Sequence, residues 1–553
     1  MGEERSAAAT PGTPEHRAVM VVIVGLILGL MLSALDFVIV SASMRTIADE
    51  LHGQTLQAWA TTAYFVTSTI ATPLFGKLSD IYGRKKLYMS AITIFLIGSL
   101  LCGLATTMYQ LAAFRAVQGI GGGGLAALAF AIMGDILTPE LRARYQVYFS
   151  SVSAVAGVAG PPVGGMFASA DTLLWIDGWR WAFLINIPIG LVALVVVGLL
   201  FKMPSRRREQ RVDFGGAAWL VVGLGPLLVV AEQGRHWGWS SPLTLGLIAL
   251  GLAGLVAFLV TERRMGDAAV IPLRLFRDRV FSVVNGVNVI VGIGVFGSLI
   301  FLPLYLQLVK GQSPGEAGLM LILQTAGVLS TSRGFSKTIN RSGRYRDFLL
   351  AGMGLVSATL FVLATLDSGS SLWLVGGLIY LLGAGVGICF PVTLIALQNN
   401  SRKEDMGVAS AAYSFFRGIG GAAGTALFLS LMFSLAVGRI SEAVGRASSG
   451  AEFSAAAADP AVIANPANQK VLDTVSGSGA VDLDDTSFLL HADRRIAAPV
   501  VDGIADAMST VFFAGGCVML VGFLLSFLLP GAKRPGKAPE PSPAPVGEQT
   551  AAS

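Results

Sequence analysis

Charged side chains are scarce in this chain: Asp, Glu, Lys and Arg make up 13% of its 553 residues, too few to clothe water-soluble domains of that total length. Cysteine is nearly absent, and the three present (Cys102, Cys389 and Cys517) stand far apart inside apolar runs, which argues against a disulfide framework or a Cys-x-x-Cys metal site. Four histidines are too few for a histidine metal centre. No phosphate-cradling loop of the G-x-x-x-x-G-K-S/T kind, no nucleophile elbow and no metal-ligand spacing occurs. ATP-driven motion and enzyme chemistry therefore lack residues to carry them. The chain is expected to be neither enzyme nor metalloprotein, to need no cofactor, and to draw energy from an ion gradient. The net charge of +5 is no sign of a nucleic-acid partner, because the basic residues gather in loops on one side of the apolar runs.

What is abundant is apolar length. Hydrophobic residues make up 54% of the chain, its mean hydropathy is +0.69, and runs of about 20 residues recur, enough to cross a hydrocarbon core roughly 30 Å thick. Fourteen spans are expected, near 19–43, 56–76, 87–107, 109–134, 145–169, 181–201, 213–232, 242–262, 280–308, 314–332, 347–367, 371–398, 406–436 and 508–530. The first run is too long for a signal-peptide h-region and is expected to remain as a helix. Tails 1–16 and 531–553 have disordered compositions. An even span count puts both termini on one side. Most Lys and Arg fall in the tails and even-numbered loops, so the positive-inside rule makes that side cytoplasmic. The expected location is the plasma (inner) membrane, with the lipid bilayer as surroundings and a monomer as the unit.

Between spans 2 and 3 lies the polar hairpin Gly76-Lys77-Leu78-Ser79-Asp80-Ile81-Tyr82-Gly83-Arg84-Lys85-Lys86. Gly76 and Gly83 lack side-chain bulk where the backbone turns, and Asp80 and Arg84 stand four apart, so a helical turn brings opposite charges together. The spacing returns in weaker form at Ser336 to Arg344, an internal repeat. Two six-span halves, 17–202 and 280–530, then flank a linker and inserted pair, 203–279. Residues 437–507, rich in Ala, Ser, Gly and Asp, form an outer loop without a span. Arg494 to Met508 is read there as a candidate surface helix and the rest as disordered or loosely folded.

Charge inside spans is the sharpest functional signal. A guanidinium at mid-span costs about 2.5–3.5 kcal/mol on insertion scales and keeps its proton, so Arg115 in span 4 needs an acid, a wet cavity, or room to reach the surface. Asp36 in span 1 lies at a comparable depth, and the two are expected to pair. Burial and a facing cation pull a carboxyl's proton affinity in opposite directions, which suits a proton carrier; a purely structural ion pair is the other reading. Span 5 carries Ala156-Gly157-Val158-Ala159-Gly160-Pro161-Pro162-Val163-Gly164-Gly165, a proline-bent helix with a glycine face. Gln118, Asn186, Asn285, Asn288, Gln324 and Arg417 are candidates to line a central cavity, each amide being equally readable as interhelical glue.

The 76–86 hairpin closely resembles the signature loop of the major facilitator superfamily. Phe114 to Gly123 around Arg115 resembles that family's helix 4 motif, in which the arginine is linked to proton transfer. Leu35 to Val40 resembles its L-D-x-T-I-V stretch, with Val38 in place of threonine. Gly160, Pro161, Gly164 and Gly165 match the motif that marks antiporters, Ala156 standing where the first glycine would. Trp179 to Gly190, Phe301 to Pro314 and Phe415 to Gly421 resemble strings of fourteen-span drug:proton antiporters of the EmrB/QacA type. The resemblance implies an all-α polytopic fold of two six-helix halves plus two inserted helices. It also implies a latch of Gly76, Asp80, Gly83 and Arg84 with Asp135. The expected function is proton-coupled multidrug efflux by alternating access, with protons and amphipathic or cationic small molecules as partners. Export of a lipid, glycolipid or endogenous metabolite on the same fold is the alternative, and a non-transporting sensor is a further class.

Overall fold

A computed structural model describes residues 14–136, 139–200, 214–266, 269, 271–342, 344–402, 406–448, 450–475, 486, 489 and 492–530. The basic linker at 202–211, most of the two tails and the centre of the outer loop lie outside the described residues, as do the side chains of Asp80, Asp135 and 333–343.

The chain is almost wholly helical, as it must be if apolar segments sit in lipid with every backbone polar group satisfied internally. The long helices are α1 (Pro14–Glu50), α2 (Gln57–Tyr82), α3 (Arg84–Gly103), α4 (Met108–Ile136), α5 (Pro139–Ser169), α6 (Asn186–Leu200), α7 (Phe214–Trp237) and α8 (Pro242–Met265). They continue as α9 (Arg279–Leu308), α10 (Pro314–Ser342), α11 (Tyr345–Leu363), α12 (Leu372–Asn400), α13 (Met406–Ser448) and α14 (Arg494–Ser526). The strands β1 (Thr172–Leu173) and β2 (Ile176–Asp177) form a small antiparallel hairpin ahead of α6. We call the end of the bundle carrying Glu50, Ser169 and Pro314 upper, and the end carrying Gly83 lower.

Ten of the described helices are long and apolar enough to cross a membrane by themselves. Among the described residues α7 adds the shorter apolar stretch Gly215–Ala231. Helices α2, α5 and α10 border the seam between the halves. There α5 packs on α10 and α2 packs on α13. Helices α7 and α8 pack on each other, and Leu224 and Leu228 of α7 lie on Phe65 and Ala422 across the seam.

At its lower end α2 stops at Gly83, whose φ of 96° suits glycine and whose N–H returns to the Ser79 carbonyl. The Arg84 guanidinium donates to the Gly76 carbonyl at 3.3 Å and to the Ser79 hydroxyl, and the Lys85 ammonium caps α6 at the Gly198 carbonyl, 2.8 Å away.

The outer loop departs from the sequence expectation. Helix α13 continues to Ser448, three short helices follow (Ala451–Ala457, Pro460–Ile463 and Pro466–Val475), and the stretch read as a surface helix is the first part of a continuous α14. Ile496, Val500, Ile504 and Ala507 recur at helical spacing and are buried together with Ile440 and Val444 of α13. Gly503 permits that approach: a Cβ there would lie 2.5 Å from the Ile440 Cα. From this cap Thr486 reaches the other half. Its backbone N–H donates to Asp49 Oδ1 at 2.8 Å, and Arg45 donates to its carbonyl at 3.2 Å.

Candidate functional site

Asp36 is a buried carboxylate met by three side-chain donors. Helix α1 holds it fully buried. Arg115 and Gln118 share a face of α4 at i and i+3, so both reach the same carboxylate. Arg115 Nη1 donates to Asp36 Oδ2 at 2.6 Å, and Gln118 Nε2 donates to Oδ1 at 2.8 Å. Asn186 stands at the start of α6, just past the break that separates it from the turn Trp181–Leu184, and its Nδ2 donates to Oδ1 at 2.7 Å. Ser99 of α3 ties the amides together, accepting from Asn186 at 2.9 Å and Gln118 at 3.0 Å while donating to the Phe183 carbonyl at 3.0 Å.

Every contact made to Asp36 is therefore a donor, which suits an ionised carboxylate. Arg115 also donates to Gln118 Oε1 at 2.8 Å and lies 4.2 Å from the centre of the Tyr64 ring, whose hydroxyl pairs with Ser33 at 2.9 Å. It is 1% exposed, so it makes a buried pair and does not reach the surface. Two atoms remain buried without a partner, Arg115 Nε and Asn186 Oδ1. The second matters chemically: turning that amide over presents an acceptor to Asp36, which is what a protonated carboxyl needs.

The glycines after Arg115 allow this crowding. A Cβ at Gly119 would lie 2.4 Å from the Tyr64 carbonyl, at Gly123 2.1 Å from that of Ser68, and at Gly121 2.5 Å from the Phe95 nitrogen. Helix α4 is thereby pressed against α2 on one side and α3 on the other.

In α5 the glycine face divides. Gly160 and Gly164 meet α1, where Ser43 donates to the Gly164 carbonyl at 2.8 Å; Gly165 meets Pro314 of α10 in the other half. Ala156 is buried in the same contact region. Pro161 has no N–H, so the Gly157 carbonyl four residues earlier loses its helical donor. The Thr325 hydroxyl of α10 supplies one across the seam at 2.8 Å. Above this point Gly315 donates to the Ser169 hydroxyl at 3.2 Å, and Phe37, Phe65 and Phe296 form a ring cluster with centroids 4.6–5.4 Å apart.

The other cavity candidates separate by environment. Gln118 and Asn186 belong to the Asp36 cage. Asn285 donates to the Phe281 carbonyl of its own helix at 2.9 Å, Asn288 to the Tyr413 carbonyl, and Gln324 to Ser298 at 3.2 Å; all three are buried between helices. Arg417 is half-buried, 5.3 Å from the ring centres of both Phe390 and Tyr413. Of the latch candidates, Gly76, Gly83 and Arg84 hold the lower hairpin as described above, while the side chains of Asp80 and Asp135 lie outside the described residues.

Sequence reasoning missed Ser99, Tyr64 and Thr325. A lone serine or tyrosine in an apolar span carries no signal, but Thr325 answers a need visible in the sequence, since Pro161 leaves the Gly157 carbonyl without its helical donor.

A family model described as Major Facilitator Superfamily matches residues 26–425. The chain is 31% identical over 523 residues to the multidrug transporter protein MdtP of Bacillus subtilis (strain 168), covering 94% of each. It is 39% identical over 319 residues to a tetracycline resistance determinant of Streptomyces rimosus, covering 57% of this chain and 91% of that one. Among solved structures, a bacterial homologue of the human lysosomal transporter Spinster, inward-facing and unoccupied, superposes with a TM-score of 0.62 at 15% identity, covering 94% of this chain and 98% of that one. A D-xylose-proton symporter does so with a TM-score of 0.55 at 15% identity, covering 75% of this chain and 90% of that one.

Proposed function

The chain belongs to the Major Facilitator Superfamily, and on that premise we propose that this multi-pass membrane transporter is a proton-coupled antiporter that exports amphipathic small molecules. The observation that carries the reading is the buried Asp36, held by three donors from α4 and α6 and faced by an amide whose carbonyl has no partner. An ionised Asp36 is satisfied by Arg115, Gln118 and Asn186. On taking up a proton it surrenders the full pairing with Arg115, and rotation of the Asn186 amide receives the new O–H. The names of the two curated relatives support drugs as the substrate class.

Coupling follows from geometry. Asp36 lies on α1, two residues from Val38 and three from Ile39, which Gly160 and Gly164 of α5 touch; the neighbouring face of α5 is sealed on α10 by Gly165 and Thr325. A change in charge at Asp36 is thus within reach of the contacts that hold the upper seam closed. In this cycle the closed upper seam is the inward-facing state, the upper end is extracellular, and both termini are cytoplasmic. The hairpin of Gly76, Gly83 and Arg84, with Asp80 and Asp135, latches the lower end in the opposite state. A monomer in the plasma (inner) membrane is sufficient, because the seam lies within one chain. The test is efflux of a substrate panel from everted vesicles with and without a proton gradient. Accumulation that collapses with the gradient is expected, and accumulation indifferent to it refutes proton coupling.

A further inference from the structure

Among the described residues no acidic side chain pairs with Arg417. It sits on α13 where Asn288 donates to the Tyr413 carbonyl one turn below, and where a Cβ on the next residue, Gly418, would lie 2.4 Å from Thr69 Oγ1 of α2. Thr69 belongs to the other half, so Arg417 stands at the seam where carriers of this architecture hold their cargo. Among the described residues its guanidinium makes no ion pair, and its contacts are the Phe390 and Tyr413 rings, each 5.3 Å away. The other charges at mid-depth among the described residues, Asp36 and Arg115, neutralise one another at 2.6 Å. Among the described charges at mid-depth this leaves one positive charge, partly buried and set between the half-buried Phe390 ring and the buried Tyr413 ring. An ionisable residue held inside a span without a partner marks a ligand site, and a guanidinium pairs best with a planar oxyanion.

We propose, resting on the export reading above, that Arg417 is the recognition residue for substrate and that its cargo is an amphipathic organic anion: an aromatic or apolar body carrying a carboxylate, sulfonate or ionised enol. The body lies against the open edge of the half-buried Phe390 ring while the oxyanion meets the guanidinium. A cationic cargo fits poorly, because the ring faces that would cage an ammonium group are already engaged by Arg417, and its charge repels a second cation. This narrows the class expected from the sequence, amphipathic or cationic, to its anionic members.

The experiment uses three probes with one body: 2-naphthylacetate, 2-naphthylacetamide and 2-naphthylethyl-trimethylammonium. Each is dialysed to equilibrium between the purified full chain in detergent and protein-free micelles. The carboxylate is expected to bind at least about tenfold tighter than the other two, in keeping with a hydrogen bond to a charged group. Arg417→Gln is expected to erase that preference and Arg417→Lys to keep part of it. Raising salt is expected to weaken only the carboxylate. Equal affinities, a preference for the ammonium probe, a preference that survives Arg417→Gln, or no saturable binding of the carboxylate overturns the proposal. Should Arg417→Gln fail to fold, the wild-type affinity ratio and its salt dependence decide. Gradient-driven uptake of the same probes into everted vesicles separates the two readings. Uphill movement without anion preference sinks only the Arg417 proposal, whereas anion-selective binding without uphill movement of any probe sinks only the export reading.

Discussion

Asn186 shows how much of the site depends on atoms a sequence does not display. Its span was recognisable from apolar length, but that its amide would reach Asp36 and Ser99 at once follows from the break at Ile185, which turns the start of α6 toward α1 and α3. Asp36 and Arg115 were legible as a pair because each is an expensive charge at a similar depth, and desolvation leaves few other solutions. Replacing Asn186 with Leu removes one donor to the carboxylate and the acceptor we assign to its proton. A hydrogen bond to a charged group is worth about 1.5–3 kcal/mol, so gradient-driven export is expected to fall by about tenfold or more while the protein still inserts. Initial rates in everted vesicles check this, and an unchanged rate would remove Asn186 from the coupling route. Thr325→Val strips the Gly157 carbonyl of its donor, at a cost of about 1 kcal/mol to the closed seam, and should lower thermal stability in detergent by a few degrees.

At the scale of helices, α5 has two jobs on adjacent faces. Gly160 and Gly164 bind it to α1, and Gly165 binds it to α10, where an added Cβ would lie 2.4 Å from the Pro314 carbonyl. Gly165→Ala is thus expected to hold the upper seam open. Cysteines placed at Ser169 and Gly315 should crosslink readily in the parent and at least several-fold more slowly with Gly165→Ala; equal rates would show that the seam does not close on this glycine. The antiporter-like string was legible, yet its division between two partners was not, because Gly-x-x-x-Gly specifies close approach without naming the neighbour. The outer cap was misread for a related reason. Ala, Ser and Asp dilute its hydropathy, but the Ile496, Val500, Ile504 stripe keeps helical spacing and finds Ile440 and Val444 once α13 and α14 run on past the span boundaries. Thr486→Val keeps the shape but takes one hydroxyl from the buried Arg45 and Asp49, and is expected to speed exchange of the neighbouring backbone amides in α1 measurably. Unchanged exchange would mean that the backbone contacts of Thr486 suffice.

For the whole molecule, the halves and the seam follow from a single economy of surface: helices facing lipid are apolar, and those facing the other half are rich in small and hydroxylated residues. The two-half plan was legible from the repeated hairpin spacing, but which helices meet across the seam was not, since contacts between distant segments leave no local period. The central claim is that this seam is moved by a proton on Asp36. It is tested most directly by adding a transported substrate to purified protein in weakly buffered detergent and following proton release with a pH dye, in the parent and in Asp36→Asn. Every neighbour of Asp36 is a donor, so the Asn amide nitrogen faces either Arg115 or the Gln118 and Asn186 amides, and correct folding of the variant is checked by its elution as a single species. The account expects release in the parent and none above background in Asp36→Asn; undiminished release from the folded variant would contradict it.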